Sequence, residues 1–388
     1  MTILSDYETL LYCSSVSPQP MTDGRLLIYR HLMRLHSHNR LLVVPASSPP
    51  CKGLRVTRIS LVKPASPWFA RLRRGLLFPL GDKLLANQVV KQCEGVSSQH
   101  KPTVVVTVFL PDGFMTAAAA FARKNSLPLV LICHDDYLDS TPSSFHATLK
   151  AVYRQAAVRL CVSQPMADEF HGRYGVGGTV LLPIPSERAR LPLTQEANTS
   201  LRIGFAGTIC AGYEDAILQL ADELLIVGGQ LVVVSPSSRN VMPRIWTHPA
   251  ILDLGQVHPQ HVREVFHLEG VNVLGVVQSF APNDQRAFRL NFPSKLTEYS
   301  TFGLPLLIVA PKVASASAWA SARDGVAVIA SDLSGSLKVA INKLNNSEVR
   351  QQLARNFFEA ASEFDPDKAQ AIFYDAIKQN PLSCARLC

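Results

Sequence analysis

Residues 292–311, FPSKLTEYSTFGLPLLIVAP, place a short helix directly before an apolar strand. The sequence predicts a helix from Pro293 or Ser294 to about Phe302, because proline suits the first helical turn and Gly303 suits the position just past the end. Residues 306–310 predict a buried parallel strand. A helix that passes straight into such a strand favours an α/β fold built on parallel sheets.

Three polar residues share one face of this predicted helix. Ser294 and Glu298 are one helical turn apart, and Lys295 lies between them on the same side. A cation and backbone N–H groups in a first turn can bind a diphosphate, and a carboxylate one turn later can accept hydrogen bonds from ribose hydroxyls. The alternative is an exposed amphipathic helix with a Lys–Glu pair, worth a few tenths of a kcal/mol.

The run from Pro293 to Pro305 resembles the donor-binding signature of glycosyltransferase family 4 and its GT-B relatives, P-S-K-x-x-E-Y-x-x-x-G-x-P. The resemblance implies an α/β protein of GT-B architecture, with two doubly wound Rossmann-like domains facing a central cleft. It also implies a hexosyltransferase-like enzyme, of the kind used in polysaccharide biosynthesis. Such an enzyme moves a sugar from a nucleotide diphosphate sugar to an acceptor hydroxyl, without a metal and with retention of configuration.

The length of 388 residues favours two domains. A proline-rich stretch without periodicity, residues 183–200, predicts the boundary. We expect an N-terminal acceptor-side domain at residues 1–190 and a C-terminal nucleotide-sugar-binding domain at residues 200–375. The resemblance further implies that the last helix crosses back to the first domain.

Two places in the first half are candidate site positions. A predicted strand at residues 9–15 is followed by a loop with Gly24 and Arg25, which the resemblance places near the acceptor. A predicted strand at residues 127–133 is followed by His134 and Asp135, at the strand end where ligands bind in open α/β sheets. The resemblance implies that His134 faces the donor sugar, and Asp135 is a candidate for the acceptor side. The alternatives are a structural hydrogen bond for His134 and an ordinary turn or helix-start role for Asp135.

The second half repeats the pattern, and here the sequence departs from the family. After a predicted strand at residues 201–206, Gly207 and Thr208 form a turn that can approach a donor closely. Relatives usually carry a Lys or Arg shortly after this turn, where this chain has Ala211. They also carry a second Glu at the position of Leu290. Arg289, just before the signature, is either a replacement cation for the donor or a solvated residue.

Charge is uneven along the chain. Residues 1–195 carry a net charge of +10 and the remainder −2. The stretch Pro67–Leu80 is basic and amphipathic, so it is either an ordinary helix or a peripheral contact with an anionic membrane. We expect no nucleic-acid partner, because no recognised motif or basic–aromatic interleaving is present.

The start of the chain does not resemble a signal peptide, and the eight cysteines are scattered without metal-ligand spacing. We therefore expect a cytoplasmic protein, with the inner membrane surface as the alternative location. We expect no metal and no cofactor, with the nucleotide sugar as donor substrate. The acceptor is a glycan, a lipid-linked molecule or a small molecule. Two other functions remain open: a non-hydrolysing nucleotide-sugar epimerase, and a transferase-like binding protein without catalysis.

Overall fold

The computed structural model describes residues 9–20, 24–34, 39–47, 53–62, 78–194 and 200–378. The chain divides into two compact units. The first contains Met1–Leu182 and Gln370–Cys388, and the second contains Pro183–Ala369. The division by contacts therefore assigns residues 183–190 to the second unit.

The first unit contains a seven-stranded sheet in which every neighbouring pair is parallel. Its strands are β1 Thr9–Cys13, β2 Asn39–Pro45, β3 Arg58–Val62, β4 Val104–Val108, β5 Leu129–Cys133, β6 Val158–Cys161 and β7 Thr179–Val180. The spatial order is β3-β2-β1-β4-β5-β6-β7. Every residue of β1, β4 and β5 is buried, as expected for strands covered on both faces.

The second unit contains a six-stranded parallel sheet in the order β10-β9-β8-β11-β12-β13. Its strands are β8 Arg202–Ala206, β9 Gln230–Val234, β10 Ile251–Asp253, β11 Val273–Val277, β12 Leu306–Val309 and β13 Val328–Ala330. In both sheets the strand order reverses beside the first strand. The carboxyl edge at that reversal is where doubly wound folds bind ligands.

Helices connect the strands in both units. The described α-helices are α1 Gly24–Met33, α2 Phe78–Ser97, α3 Gly113–Lys124, α4 Ser143–Gln155, α5 Gln164–Tyr174, α6 Glu214–Ile226, α7 Pro243–Trp246, α8 Val262–Leu268, α9 Gln285–Leu290, α10 Ser294–Tyr299, α11 Ser315–Ser321, α12 Gly335–Leu344, α13 Ser347–Ala360 and α14 Pro366–Lys378. The chain re-enters the first unit at Gln370, within α14.

Three local predictions from the sequence need correction. The signature helix α10 ends at Tyr299 and not near Phe302, and turns lead from there to Gly303, which has a φ of +72°. Gly24 is not in a loop but is the first residue of α1. From residue 334 to about residue 379 the sequence predicts a helical tail, and the structure divides this stretch into three α-helices. One break falls at Asn346, whose side chain caps α13 by accepting from the Glu348 N–H at 2.8 Å.

Candidate functional site

The signature helix α10 points its lysine at the carboxyl end of the first strand of the second sheet. The Lys295 ammonium lies over the Phe205 ring in β8, 4.0 Å from the centroid, and 5.8 Å from the centroid of the Tyr213 ring. A cation over an aromatic face is attracted by the ring quadrupole. Two aromatic rings therefore hold the ammonium at the reversal point of the sheet.

This ammonium is a partly desolvated cation. Burial lowers the pKa of Lys295 from 10.5 to about 8, and the neighbouring Cys210 has a smaller opposite effect. In the described part of the chain, no carboxylate lies within ion-pair distance of it. A buried cation without a counter-ion costs free energy, and an incoming anion removes that cost. Lys295 is thus arranged to receive a negative charge.

The turn after β8 passes directly beside this cation. Gly207 has a φ of +136°, a conformation that glycine adopts without strain. A Cβ at this position would lie 3.3 Å from Lys295 Nζ. The structure therefore brings two of the predicted donor residues, Gly207 and Lys295, together.

The position of α10 is fixed by its apolar face. Leu296 and Tyr299 are buried, and the Tyr299 hydroxyl accepts a hydrogen bond from the Ala206 N–H at 2.9 Å. A buried tyrosine hydroxyl needs such a partner. This bond ties the helix to the end of β8, so the distance between Lys295 and the turn is set by the core. Because Leu296 and Tyr299 are three residues apart and off the polar face, the sequence predicts that they face away from it, and their burial confirms this prediction.

Glu298 has a partner that the sequence did not indicate. Its Oε2 accepts from the Ser186 N–H at 3.1 Å, and its Oε1 accepts from the Ser186 hydroxyl at 2.6 Å. Ser186 lies more than a hundred residues earlier in the chain. No periodicity or motif signals a contact across that separation.

The other predicted donor residues lie around the same helix. Ser294 is the first residue of α10 and is exposed, and Thr208 follows Gly207 and is also exposed. Arg289 is half-buried in the last turn of α9. Leu290, where relatives carry a Glu, is fully buried. That position belongs to the core of this chain and not to its ligand edge.

The first unit places His134 directly after β5, as predicted. Its ring lies beside the start of α1, because a Cβ on Gly24 would be in ordinary contact with Nδ1 at 3.7 Å. Burial lowers the pKa of His134, and Asp135 acts weakly in the opposite direction. The imidazole is therefore neutral at pH 7, with one nitrogen able to donate and the other able to accept.

The acidic residues after His134 have different environments. Asp136 forms a bidentate ion pair with Arg173 at 2.7 and 2.8 Å, which is a structural role. Asp135 is half-buried and accepts from the Tyr137 hydroxyl at 3.0 Å. Arg25, the other predicted acceptor-side residue, lies half-buried in the first turn of α1. Of the three predicted acceptor-side residues, Gly24 lies against the His134 ring, and Asp135 acts on the pKa of His134.

The sequence did not predict the contacts at the reversal point of the first sheet, between β1 and β4. The Ser15 hydroxyl, after β1, donates to Asp112, after β4. Asp112 also caps α3 by accepting from the Phe114 and Met115 N–H groups at 3.0 Å each. An Asp before an alanine-rich helix is a recognisable cap signal. Its bond to Ser15 depends on the adjacency of β1 and β4, which sequence alone did not establish.

Two further expectations concern membranes and metals. Most of Pro67–Leu80 lies outside the described residues, so the predicted membrane contact remains a prediction. In the described part of the chain, no helix has the length and apolar character needed to cross a membrane. Within the same residues, no cluster of three or more His, Cys, Asp or Glu side chains is suited to hold a metal ion.

A family model matches part of the chain. The model described as Glycosyltransferase Family 4 matches residues 27–185. This stretch contains β2 to β7 and His134. No curated protein sequence matches the chain.

Solved structures match over nearly the whole chain. HepE from Anabaena, in complex with UDP, has a TM-score of 0.68 at 14% identity, covering 96% of this chain and 100% of HepE. The lipopolysaccharide outer core galactosyltransferase WaaB has a TM-score of 0.66 at 13% identity, with 96% and 99% covered. Sucrose-phosphate synthase from Thermosynechococcus elongatus has a TM-score of 0.63 at 13% identity, with 96% and 98% covered. These findings confirm the predicted family resemblance and the predicted GT-B fold.

Proposed function

We propose that this GT-B glycosyltransferase, whose residues 27–185 form a Glycosyltransferase Family 4 domain, transfers a sugar from a nucleotide diphosphate sugar to an acceptor hydroxyl. The observation that carries the proposal is the Lys295 ammonium, held over Phe205 beside Gly207 with a lowered pKa. The negative charge on a departing diphosphate grows as the sugar leaves. A cation placed there stabilises the transition state more than the ground state.

The remaining donor contacts are assigned by chemistry. Glu298 accepts hydrogen bonds from the ribose hydroxyls, and the turn at Gly207 and Thr208 offers backbone N–H groups to the phosphates. Ser294 and Arg289 supply further polar contacts around α10. HepE has been solved with UDP and glucose, so a uridine diphosphate sugar is the first donor to test.

The first unit supplies the contacts to the sugar and the acceptor. The neutral His134 hydrogen-bonds the transferring sugar, whose bond to the diphosphate breaks through an oxocarbenium-like transition state. Gly24, Arg25 and Asp135 lie on the acceptor side. The acceptor is a carbohydrate or a lipid-linked hydroxyl compound.

Two finer features belong to the proposal. We infer that transfer is metal-independent, because Lys295 supplies the positive charge that a divalent cation would otherwise bring. We infer retention of configuration from the family resemblance. Addition of EDTA should leave transfer unchanged, and proton NMR of the first-formed product should show the anomeric configuration of the donor.

Incubation with radiolabelled UDP-, GDP- and dTDP-sugars and a panel of acceptors tests the proposal. A transferase releases nucleoside diphosphate in equal amount to glycosylated product. A non-hydrolysing epimerase changes the sugar without an acceptor, and a binding protein leaves every nucleotide sugar intact. Release of diphosphate that depends on acceptor supports the proposal, and either of the other two outcomes overturns it.

A further inference from the structure

The carboxylate assigned to the donor ribose is held by a residue outside the signature. Ser186 donates both its N–H and its hydroxyl to Glu298, one to each carboxylate oxygen, at 3.1 and 2.6 Å. Hydrogen bonds to an ionised group are the stronger class in proteins. Two such bonds from one residue fix both the position of the carboxylate and its rotation.

Ser186 belongs to a strap, residues 183–194, that runs along the end of the signature helix. The Arg190 N–H donates to the Ser300 carbonyl at 3.3 Å, and the Leu193 N–H donates to the Gly303 carbonyl at 2.8 Å. A Cβ on Gly303 would lie 2.5 Å from the Leu191 carbonyl oxygen. Because a side chain at Gly303 would collide with the strap backbone, this glycine allows the strap to lie against the turns that follow α10.

An ion pair close to Ser186 also attaches the strap. The Arg188 guanidinium pairs with Asp367 at 2.5 Å and with Asp365 at 3.4 Å. The pair is exposed, so it adds little free energy by itself. It links the strap, two residues after Ser186, to the residues around the start of α14.

The contact with Ser186 is compatible with a ribose. An ionised carboxylate has about four acceptor positions on its two oxygens, so it can accept from a serine and from other donors at the same time. Vicinal ribose hydroxyls need a carboxylate held at one orientation. A free glutamate side chain would lose rotamer entropy when it bound them.

We propose that Ser186 is a positioning residue of the donor site, which holds the Glu298 carboxylate ready for the two hydroxyls of the donor ribose. The segment that joins the two units in sequence is thereby part of the nucleotide site. The inference rests on the proposed function, because it requires Glu298 to accept ribose hydroxyls. The competing account is that Ser186 only fastens the strap to α10.

Calorimetric titration of UDP and 2′,3′-dideoxy-UDP separates these accounts, because only the first ligand carries the ribose hydroxyls. The variants are Ser186→Ala and the conservative Ser186→Thr, which keeps both donors. Ser334→Ala is the matched control, because Ser334 also donates its N–H and its hydroxyl to one carboxylate, that of Asp332, each at 3.1 Å. A Ser186→Ala and Glu298→Gln double variant completes a thermodynamic cycle.

We expect Ser186→Ala to weaken UDP binding about tenfold, as for a lost hydrogen bond to a charged group. Binding of dideoxy-UDP should not change, Ser186→Thr should restore UDP affinity, and Ser334→Ala should match the wild type. In the Glu298→Gln background, Ser186→Ala should have no further effect.

Three outcomes overturn the inference. Equal losses for UDP and dideoxy-UDP would show that Ser186 acts only on the shape of the strap. Unchanged UDP affinity in Ser186→Ala would show that Glu298 needs no positioning. If UDP, GDP and dTDP all fail to bind the wild-type protein, the proposed function falls together with this inference. The first two outcomes differ from this one, because they overturn the inference while the wild type still binds a nucleotide.

Discussion

The two units place a basic side chain at corresponding edges of their sheets, and burial affects both in the same direction. In the first unit, burial lowers the pKa of His134 from a starting value of 6.5, and in the second it lowers that of Lys295 from 10.5 to about 8. A histidine with a lowered pKa is neutral at pH 7, whereas a lysine with a pKa of about 8 is still mostly a cation at that pH. One physical effect therefore produces a neutral hydrogen-bonding group in one unit and a partly desolvated cation in the other.

Under the proposed function, this difference matches the two kinds of group in a nucleotide sugar. A neutral imidazole suits the uncharged hydroxyls of a sugar, and a partly desolvated ammonium suits a diphosphate. The surroundings agree with this division. His134 lies against the backbone at Gly24, and Lys295 lies over the Phe205 ring. Four predictions test the comparison, in decreasing order of expected effect.

The largest effect is expected from Lys295→Met, which keeps most of the side-chain volume and removes the charge. We expect kcat/KM to fall about 10³-fold, with losses in both kcat and nucleoside diphosphate affinity, because the contact strengthens as the leaving group departs. Steady-state kinetics and calorimetric titration measure the two parts. Lys312→Met, at an exposed lysine after the next strand, is the control and should match the wild type.

An unchanged kcat in Lys295→Met would contradict the assignment of Lys295 to the leaving group. A loss of nucleoside diphosphate affinity alone would show that Lys295 binds the donor without stabilising the transition state.

His134→Ala should show a different division, with a loss of rate and little loss of affinity. We expect kcat to fall about 10²-fold, in the range for a positioned hydrogen-bonding or acid–base group, with UDP affinity within about twofold of the wild type. His146→Ala, in the same unit, is the control, because that ring contacts the Thr141 carbonyl oxygen at 3.1 Å and has no assigned role. A loss of UDP affinity equal to the loss of rate would place His134 on the nucleotide and break the comparison.

Gly207→Ala should have an intermediate effect. The new Cβ would lie 3.3 Å from Lys295 Nζ, at a φ of +136° that other residues rarely adopt. We expect a loss of about 1–3 kcal/mol, divided between the free energy of unfolding and UDP binding. Chemical denaturation and calorimetry measure the two shares.

Gly335→Ala is the matched control for this change, because a Cβ there would meet no atom within 4 Å beyond its own helical turn, and its φ is not in the left-handed region. It should be neutral or slightly stabilising at the start of α12. Equal behaviour of the two variants would show that the turn at Gly207 tolerates a side chain.

The smallest effect is expected from pH. Because the pKa of Lys295 is about 8, the free protein loses this charge as pH rises above that value. The affinity for UDP should therefore fall by about tenfold between pH 7 and pH 9.5, whereas an arginine would remain charged throughout. Calorimetric titration of the wild type and Lys295→Arg over this range measures the difference, and parallel profiles for the two proteins would contradict the lowered pKa.

The strands show how far the sequence could predict the fold. Continuous apolar runs such as those in β5 and β12 predict buried parallel strands, because strands covered on both faces need no alternation. Helix ends were less accurate. The break at Asn346 and the start of α14 at Pro366 carry ordinary cap and proline signals within a segment that was predicted as continuous.

The sequence by itself determined the two-sheet α/β class, the signature helix with Lys295 and Glu298, and the placement of His134 after a central strand. These features depend on local periodicity, turn residues and a short motif, which are encoded within a few residues of one another. Only the tertiary structure decided that Lys295 lies over Phe205 beside Gly207, and that Ser186 holds Glu298. Those contacts join residues far apart in the chain, so their geometry follows from strand order and core packing, which no local pattern specifies.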